Sequence, residues 1–177
     1  MTRVALTGTP GTGKTTVSEL VAERIDVDVV HLNDAIRDAD LFEERDAERD
    51  TLVADLDAVE EWLDEHESQA GDGDTLVESH LSHLLGAERV VVLRCHPETL
   101  KPRLRERGEA EASVTENAES EALDVILAEA VERHGDSAVW EVDTTEKTPE
   151  AVADDVVAAI EGTAEPRVGV VDFIDYL

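Results

Sequence analysis

The sequence predicts an α/β fold in which helices cover both faces of a five-stranded parallel sheet, giving three layers. Strand-like apolar runs alternate with helix-like runs along the 177 residues, which is typical of parallel strands joined by crossover helices. A glycine-rich motif also lies between the first predicted strand and the first predicted helix, where such folds bind phosphate groups. The predicted strands are Arg3–Thr7, Val27–Leu32, Thr75–Ser79, Arg89–Arg94 and Ala138–Val142.

The predicted helices occupy most of the intervals between these strands. Prolines open two of them, at Pro97 and Pro149, and Thr115 is expected to cap a long one. The helices are predicted over residues 14–25, 33–42, 54–66, 97–107, 115–134 and 149–160. Residues 43–50 are charged and lack a core pattern, which predicts an exposed, mobile segment. The tail from Thr163 either packs back on the body or binds a partner.

The glycine-rich motif is the most specific feature of the chain. Residues 8–16 read Gly-Thr-Pro-Gly-Thr-Gly-Lys-Thr-Thr, which satisfies the phosphate-loop pattern. The glycines let backbone N–H groups point at phosphate oxygens, Lys14 reaches the β- and γ-phosphates, and the Thr15 hydroxyl can bind Mg²⁺. The motif therefore predicts that the chain binds a nucleoside triphosphate.

The composition is strongly acidic. Asp and Glu number 44 against 15 Lys and Arg, giving a net charge of −29 that is spread over the whole length. A chain of this charge repels itself unless abundant cations screen it, which favours adaptation to molar intracellular salt. An acidic surface for a basic partner is the alternative. The charge argues against non-specific binding of nucleic acid, which needs a basic footprint.

Other classes are disfavoured by simple counts. Cys95 is the one cysteine, so the sequence predicts neither a disulfide framework nor a cysteine metal cluster, and a cytoplasmic location is expected. No apolar run is long enough to span a membrane, and no signal-peptide pattern precedes the first strand. The length fits one domain over residues 1–177.

A carboxylate is expected near the phosphate loop to hold the magnesium shell or to position a water. Glu78 ends the apolar strand that follows residue 74, and His80 comes two residues later. An acid at this point can simply terminate a strand, but the neighbouring loop favours a functional role. His80 is interpreted as a supporting hydrogen-bonding group, a general base or a polar cap.

Arginines are the next candidates, because guanidinium groups stabilise charge on a transferring phosphoryl group. Arg37 follows the second strand. Arg103, Arg105 and Arg107 lie at the end of a predicted helix, before Gly108. Such a cluster is often a solvated helical face. In a chain with so few cations, we interpret it as a mobile phosphate clamp.

These motifs together resemble one family. The loop at residues 8–16, Asn33-Asp34 with Arg37, the Glu78-Ser79-His80 strand end, and Arg107-Gly108 followed by Thr115-Glu116-Asn117 look like the adenylate kinase isoenzyme 6 family. Members are small adenylate-kinase-like ATPases of archaea and eukaryotes, and the eukaryotic ones assist maturation of the small ribosomal subunit. The resemblance covers nearly the whole chain and implies a P-loop kinase with strand order 2-3-1-4-5.

The resemblance also implies roles for individual residues. A monophosphate-binding insert is expected at about residues 31–54, with Arg37 as its phosphate contact, and a lid at about 106–117, with Arg107 as its arginine. Lys147 lies where the family contacts adenine, and Glu78 with His80 resembles the family's second motif. The residues that match the ATP-phosphate binders are Gly11, Gly13, Lys14, Thr15 and Thr16.

The lid departs from the family pattern. Glu109 stands where an aromatic residue is common, and Ser113 lies near a usual lysine position. Loss of the aromatic ring and the cation weakens the contacts with which a lid closes. Both changes follow the acidic trend of the whole chain, so we interpret them as sequence changes that accompany adaptation to high salt.

The predicted reaction is transfer of the γ-phosphoryl group of Mg·ATP to AMP, with intrinsic ATPase activity. Lys14 and the loop amides hold the donor, Thr15 and Glu78 hold Mg²⁺, Arg37 holds the acceptor, and Arg107 arrives with the lid. One alternative is an ATPase that acts on a small-subunit ribosomal protein. Another is a kinase for a small metabolite.

Overall fold

A computed structural model describes residues 2–46 and 51–177. Its main sheet has five parallel strands in the order β2-β5-β1-β6-β7. When the five strands of this sheet alone are numbered 1 to 5 along the chain, the order is 2-3-1-4-5, which confirms the predicted topology. The strands are β1 (Arg3–Gly8), β2 (Val27–His31), β5 (Asp74–Glu78), β6 (Arg89–Arg94) and β7 (Val139–Asp143).

Helices cover both faces of this sheet, as the alternating pattern predicted. Among the helices of the described residues, none is both long and apolar enough to cross a membrane. The helices are α1 (Lys14–Arg24), α2 (Leu32–Asp38), α3 (Leu56–Ala70), α4 (Pro97–Glu106), α5 (Glu111–Ala122), α6 (Val125–His134) and α7 (Pro149–Glu161).

The central strands form because they are apolar on both sides. Along β1, Val4 and Leu6 pack into one cluster with residues of α1 and α7, whereas Ala5 packs on the opposite face with residues of α6. Successive side chains of a strand point to opposite faces, so a strand covered on both sides must be apolar throughout. This arrangement places the loop after β1 at the centre of the sheet's carboxyl edge.

The charged segment after α2 is ordered where the structure describes it. Phe42–Asp46 forms β3 and pairs antiparallel with β4, Thr51–Ala54. Glu43 and Glu44 are exposed, as predicted, and the predicted mobility stays a prediction. The strand over residues 43–46 was not expected, because backbone pairing needs no apolar pattern. Residues 47–50 of the same prediction lie outside the described residues. The helix predicted over 33–42 ends at Asp38, before Asp40 at φ 55°.

The long helix predicted over 115–134 is also wrong, because two helices occupy this region. Asp124 lies between α5 and α6 in the left-handed conformation, at φ 56°, which Asp tolerates better than most residues. The Arg94 guanidinium donates hydrogen bonds to the Glu121 carbonyl oxygen at 2.9 Å and to Asp124 Oδ1 at 2.5 Å. A distant arginine thus stabilises the break.

The tail packs back on the body. Arg167 pairs with the edge strand β7 through a parallel bridge to Trp140, and Phe173 is buried. The Phe173 ring lies against the Arg94 guanidinium, 5.4 Å from ring centre to Cζ, and edge-on to His96. Of the two interpretations of the tail, the structure supports packing on the body.

A buried ion network centred on Arg94 joins these elements. Its guanidinium contacts Glu121 of α5 at 3.1 Å and Glu141 of β7 at 2.6 Å. Glu141 also accepts a hydrogen bond from the Val170 backbone N–H at 2.6 Å. Arg94 is 1% exposed and Glu141 is fully buried, so each charge depends on its partners for compensation.

We expect Arg94→Met to destabilise the fold by about 3–5 kcal/mol, because it leaves buried carboxylates without a cation. Arg105→Met is the matched control, since Arg105 is half-exposed and pairs with exposed Glu111 at 2.8 Å. Its loss should cost under about 1 kcal/mol. Urea unfolding in molar KCl measures both free energies of unfolding. Equal losses in the two variants would contradict the account.

Candidate functional site

The candidate site lies at the carboxyl edge of the sheet, where β1, β2 and β5 end side by side. Parallel strands direct their carboxyl ends to one edge, and ligands bind there in open α/β sheets. The phosphate loop follows β1 and leads into α1, whose first residue is Lys14. The N-terminus of α1 therefore faces the same edge and carries the positive end of the helix dipole.

Two loop glycines are required by close packing and by backbone conformation. Gly8 has φ 147°, and a Cβ there would lie 2.6 Å from the Leu93 carbonyl oxygen. Gly11 has φ 92°, and its Cβ would lie 2.9 Å from a methyl carbon of Leu100. The loop is thus seated directly on β6 and on α4, and a side chain at either position would displace it.

Lys14 is turned back over the loop and is 8% exposed. Its ammonium group donates to the backbone oxygens of Gly8 at 2.8 Å and Thr9 at 3.1 Å. Burial lowers the pKa of Lys14 to about 8, with Glu78 raising it and Arg107 lowering it. A partly desolvated cation is thereby held at the loop, where an anionic ligand would restore its charge balance.

Glu78 connects the loop helix to the neighbouring strand. It is 8% exposed, and its Oε1 accepts a hydrogen bond from the Thr15 hydroxyl at 3.1 Å. His31 Nδ1 lies 2.8 Å from the same oxygen. The structure therefore brings the predicted pair Thr15 and Glu78 together and adds His31, which the sequence interpretation had not singled out.

His80 lies half-buried beyond the end of β5. Burial, together with the charges of Lys14 and Arg107, lowers its pKa to about 4, so its imidazole is neutral near pH 7. Both cations thus act on the same histidine. Arg107 itself is about half-exposed and lies 4.0 Å from Glu109. The predicted lid arginine is therefore solvated, and its charge acts on both Lys14 and His80.

The three clustered arginines take different positions. Arg103 donates to the Gly11 carbonyl oxygen at 3.4 Å, which places its guanidinium against the phosphate loop. Arg105 pairs instead with Glu111, at the start of α5. Helical periodicity turns Arg105 away from Arg103, and the interpretation of all three as a mobile phosphate clamp stays a prediction.

Arg37 and Lys147 each have an acidic partner of their own. The Arg37 guanidinium pairs with Asp34, and both side chains are exposed. The Lys147 ammonium contacts Asp155 Oδ2 at 2.6 Å. Their predicted contacts with acceptor phosphate and with adenine remain predictions.

Glu121 is a further residue that sequence reasoning missed. Its Oε1 accepts from the Thr9 hydroxyl at 3.2 Å, and its Oε2 accepts from the Cys95 backbone N–H at 2.8 Å. Burial raises its pKa, against the effect of Arg94. Glu121 therefore links the loop to α5. Helix position 121 carries no local signal of this role, although an acid on the buried side of a helix is itself unusual.

Comparisons with known proteins agree with this geometry. A family model described as "AAA domain" matches residues 4–124. A protein of Natronomonas pharaonis named "Putative adenylate kinase" is 56% identical over 175 residues, covering 99% of both chains. Proteins of the same name from Halobacterium salinarum and Methanocaldococcus jannaschii are 49% and 38% identical, each aligned over 99% of this chain and over 99% and 97% of their own lengths.

Solved structures show the same fold at lower sequence identity. Shikimate kinase from Bacteroides thetaiotaomicron superposes with a TM-score of 0.55 at 19% identity, covering 90% of this chain and 98% of that one. A gluconokinase from Sinorhizobium meliloti 1021 gives 0.54 at 16% identity, covering 92% and 93%. These likenesses establish a P-loop kinase fold. With the full-length relatives, they show that the chain belongs to the AAA-domain P-loop proteins and, within them, to the adenylate-kinase-like family that its motifs resemble.

Proposed function

We propose that this kinase transfers the γ-phosphoryl group of Mg·ATP to AMP, giving two ADP, and that it also hydrolyses ATP slowly. The observation that carries the proposal is the convergence of Lys14 and the Thr15–Glu78 pair on one phosphate loop, with the charge of Arg107 acting on Lys14. Phosphoryl transfer needs little covalent help from a protein and depends on positioning and on neutralising charge. This arrangement supplies both.

The donor site is formed by the loop. Lys14 would exchange the carbonyl oxygens of Gly8 and Thr9 for the β- and γ-phosphate oxygens. Its ammonium is already desolvated, so little further desolvation is needed on binding. The amides at the start of α1 complete the cradle, with Gly11, Gly13 and Thr16 in the loop and its helix.

The residues beside the loop fit a magnesium ion. A hydroxyl and a carboxylate, from Thr15 and Glu78, meet at 3.1 Å, and oxygen ligands are those that Mg²⁺ prefers. Among residues 2–46 and 51–177, no group of three or more His, Cys, Asp or Glu side chains could hold a metal. Mg²⁺ would therefore bind with the nucleotide, where it neutralises charge on the phosphates.

The acceptor and the lid are assigned to the segments that flank the loop. Residues 31–54 would form the acceptor site, with Arg37 holding the AMP phosphate, and residues 106–117 the lid, with Arg107 neutralising the transferring group. Both arginines are more than half exposed, and their acidic partners among the described residues, Asp34 and Glu109, are exposed or partly exposed, so the arginines can be recruited at low cost. Lys147 would contact adenine.

Slow hydrolysis is favoured by His80. A neutral imidazole beside Lys14 and Arg107 can accept a hydrogen bond from a water near the phosphates. This would support ATPase activity when no acceptor is bound. Two alternative hypotheses remain: an ATPase with the family's ribosomal role, and a kinase for a small metabolite. An assay of phosphoryl transfer to a panel of acceptors separates both from AMP phosphorylation.

We expect Lys14→Ala to lower AMP phosphorylation by about 10²–10³-fold, the usual effect of removing one preorganised charge-stabilising donor. A coupled assay of ADP formation in molar KCl measures the loss. Lys101→Ala is the control, because the Lys101 ammonium lies against the Tyr176 ring in the tail. Wild-type turnover in Lys14→Ala would refute the mechanism.

The pKa of Lys14 predicts the pH dependence. Only the ammonium form attracts phosphate, so kcat/KM for ATP should fall above pH about 8, approaching tenfold per pH unit. His80 should add no inflection above pH 6, because its pKa is about 4. Initial rates from pH 6 to 10 test this. Lys14→Arg should lose the alkaline inflection, and a wild-type profile flat to pH 9.5 would contradict the assignment.

We also propose that the enzyme is adapted to high salt. The net charge of −29 is what remains after every Lys and Arg is counted against Asp and Glu, so ion pairs within the chain leave it unneutralised, and dilute buffer screens little of it. Far-UV circular dichroism should show substantial unfolding below about 0.1 M KCl and full structure in molar KCl, with a smaller gain from sucrose, which does not screen charge. Full folding at low salt would exclude this proposal.

A further inference from the structure

The further inference concerns His31 and rests on the proposed function. His31 is the last residue of β2, and its Cα is the register partner of Glu78 in the parallel pair β2–β5. Side chains at paired positions point to the same face of a sheet. The strand register therefore places the imidazole beside the carboxylate, and Nδ1 lies 2.8 Å from Oε1.

The hydrogen bonding at this point defines the tautomer. Glu78 Oε1 lies within hydrogen-bond distance of both His31 Nδ1 and the Thr15 hydroxyl. An ionised carboxylate only accepts hydrogen bonds, so Nδ1 must carry the proton. One carboxylate oxygen is thus held from two sides, by the first turn of α1 and by the end of β2.

The position of His31 in the chain connects the two substrates. Leu32, the next residue, begins α2, which carries Arg37. The His31 side chain caps no backbone group of α2 and instead bonds Glu78. The acceptor segment therefore begins at a residue whose side chain is hydrogen-bonded to the carboxylate of the donor site.

We propose that His31 is a positioning residue that aligns Glu78 for the magnesium-bound donor when the acceptor segment is in place. Its Nδ1–H fixes Oε1 relative to Thr15, and α2 fixes the backbone of His31. Without this bond, Oε1 keeps the contact with Thr15, and the carboxylate rotates more freely about its side-chain torsions. His31 touches neither reacting atom, and its effect is transmitted through Glu78.

The main test is steady-state kinetics of AMP phosphorylation by His31→Ala. We expect kcat to fall about tenfold, as for one lost hydrogen bond to a charged group, while KM for AMP changes less than about twofold. His31→Asn should retain kcat within about threefold, because its amide nitrogen is as many bonds from the backbone as Nδ1. A wild-type kcat in His31→Ala, or equal losses in the two variants, would overturn the proposal.

His66→Ala is the matched control for loss of a contact between a histidine and a carboxylate. His66 Nε2 lies 2.7 Å from Asp28 Oδ2, which is also on β2, and its side chain is 35% exposed against 34% for His31. Asp28 lies three residues before His31 on β2, and its register partner is Thr75 and not Glu78. We expect wild-type kcat in this variant, and a loss matching that of His31→Ala would show a general effect of weakening β2 and would overturn the assignment.

A binding measurement separates this inference from the proposed function. Each protein is titrated calorimetrically with a non-hydrolysable ATP analogue, once in Mg²⁺ and once in EDTA. The ratio of the two Kd values gives the tightening of analogue binding that is due to the metal. His31→Ala should reduce that tightening severalfold, and unchanged tightening would count against the proposal. If the wild type binds the analogue but does not phosphorylate AMP, the proposed reaction fails, whereas the link from His31 to Glu78 is still decided by the titration.

Discussion

The buried ammonium group of Lys14 is the constraint on which the rest of the site depends. It is held on the backbone oxygens of Gly8 and Thr9, which requires the loop to double back between β1 and α1. Gly8 and Gly11 make that path possible by removing side chains that would meet β6 and α4. Desolvation disfavours the charged form of Lys14 and lowers its pKa. The loop is therefore preorganised for a ligand whose negative charge stabilises the ammonium group.

The Arg94 network extends this constraint to distant parts of the chain. Glu121 contacts both Thr9 of the loop and Arg94, so hydrogen bonds connect α5 to the loop and to the network. Glu141 then joins Arg94 to the backbone of the tail. In the proposed mechanism, the lid at residues 106–117 would move about a fixed base, and the buried network, which holds α5 near its end at Glu121, would supply that base. The tail thus contributes to the rigidity of the nucleotide site without reaching it.

Local patterns were enough to predict the loop, the five strands and their flanking helices, because each has its own periodicity or turn residues. The pairing of Thr15 with Glu78 followed from adjacent strand ends. Other features depend on contacts distant in sequence. Arg94 stabilises the break at Asp124, and strand register brings His31 to Glu78. The β3–β4 hairpin rests on backbone pairing, which a charged sequence does not reveal.

The central claim is that the phosphoryl group passes mainly to AMP. It is tested most directly by measuring ADP and inorganic phosphate together, from wild-type enzyme in molar KCl with Mg·ATP, with and without AMP. The account predicts that AMP increases ADP formation at least tenfold and that inorganic phosphate remains a minor product. Phosphate release that equals ADP formation and ignores AMP would contradict it and would identify water as the acceptor.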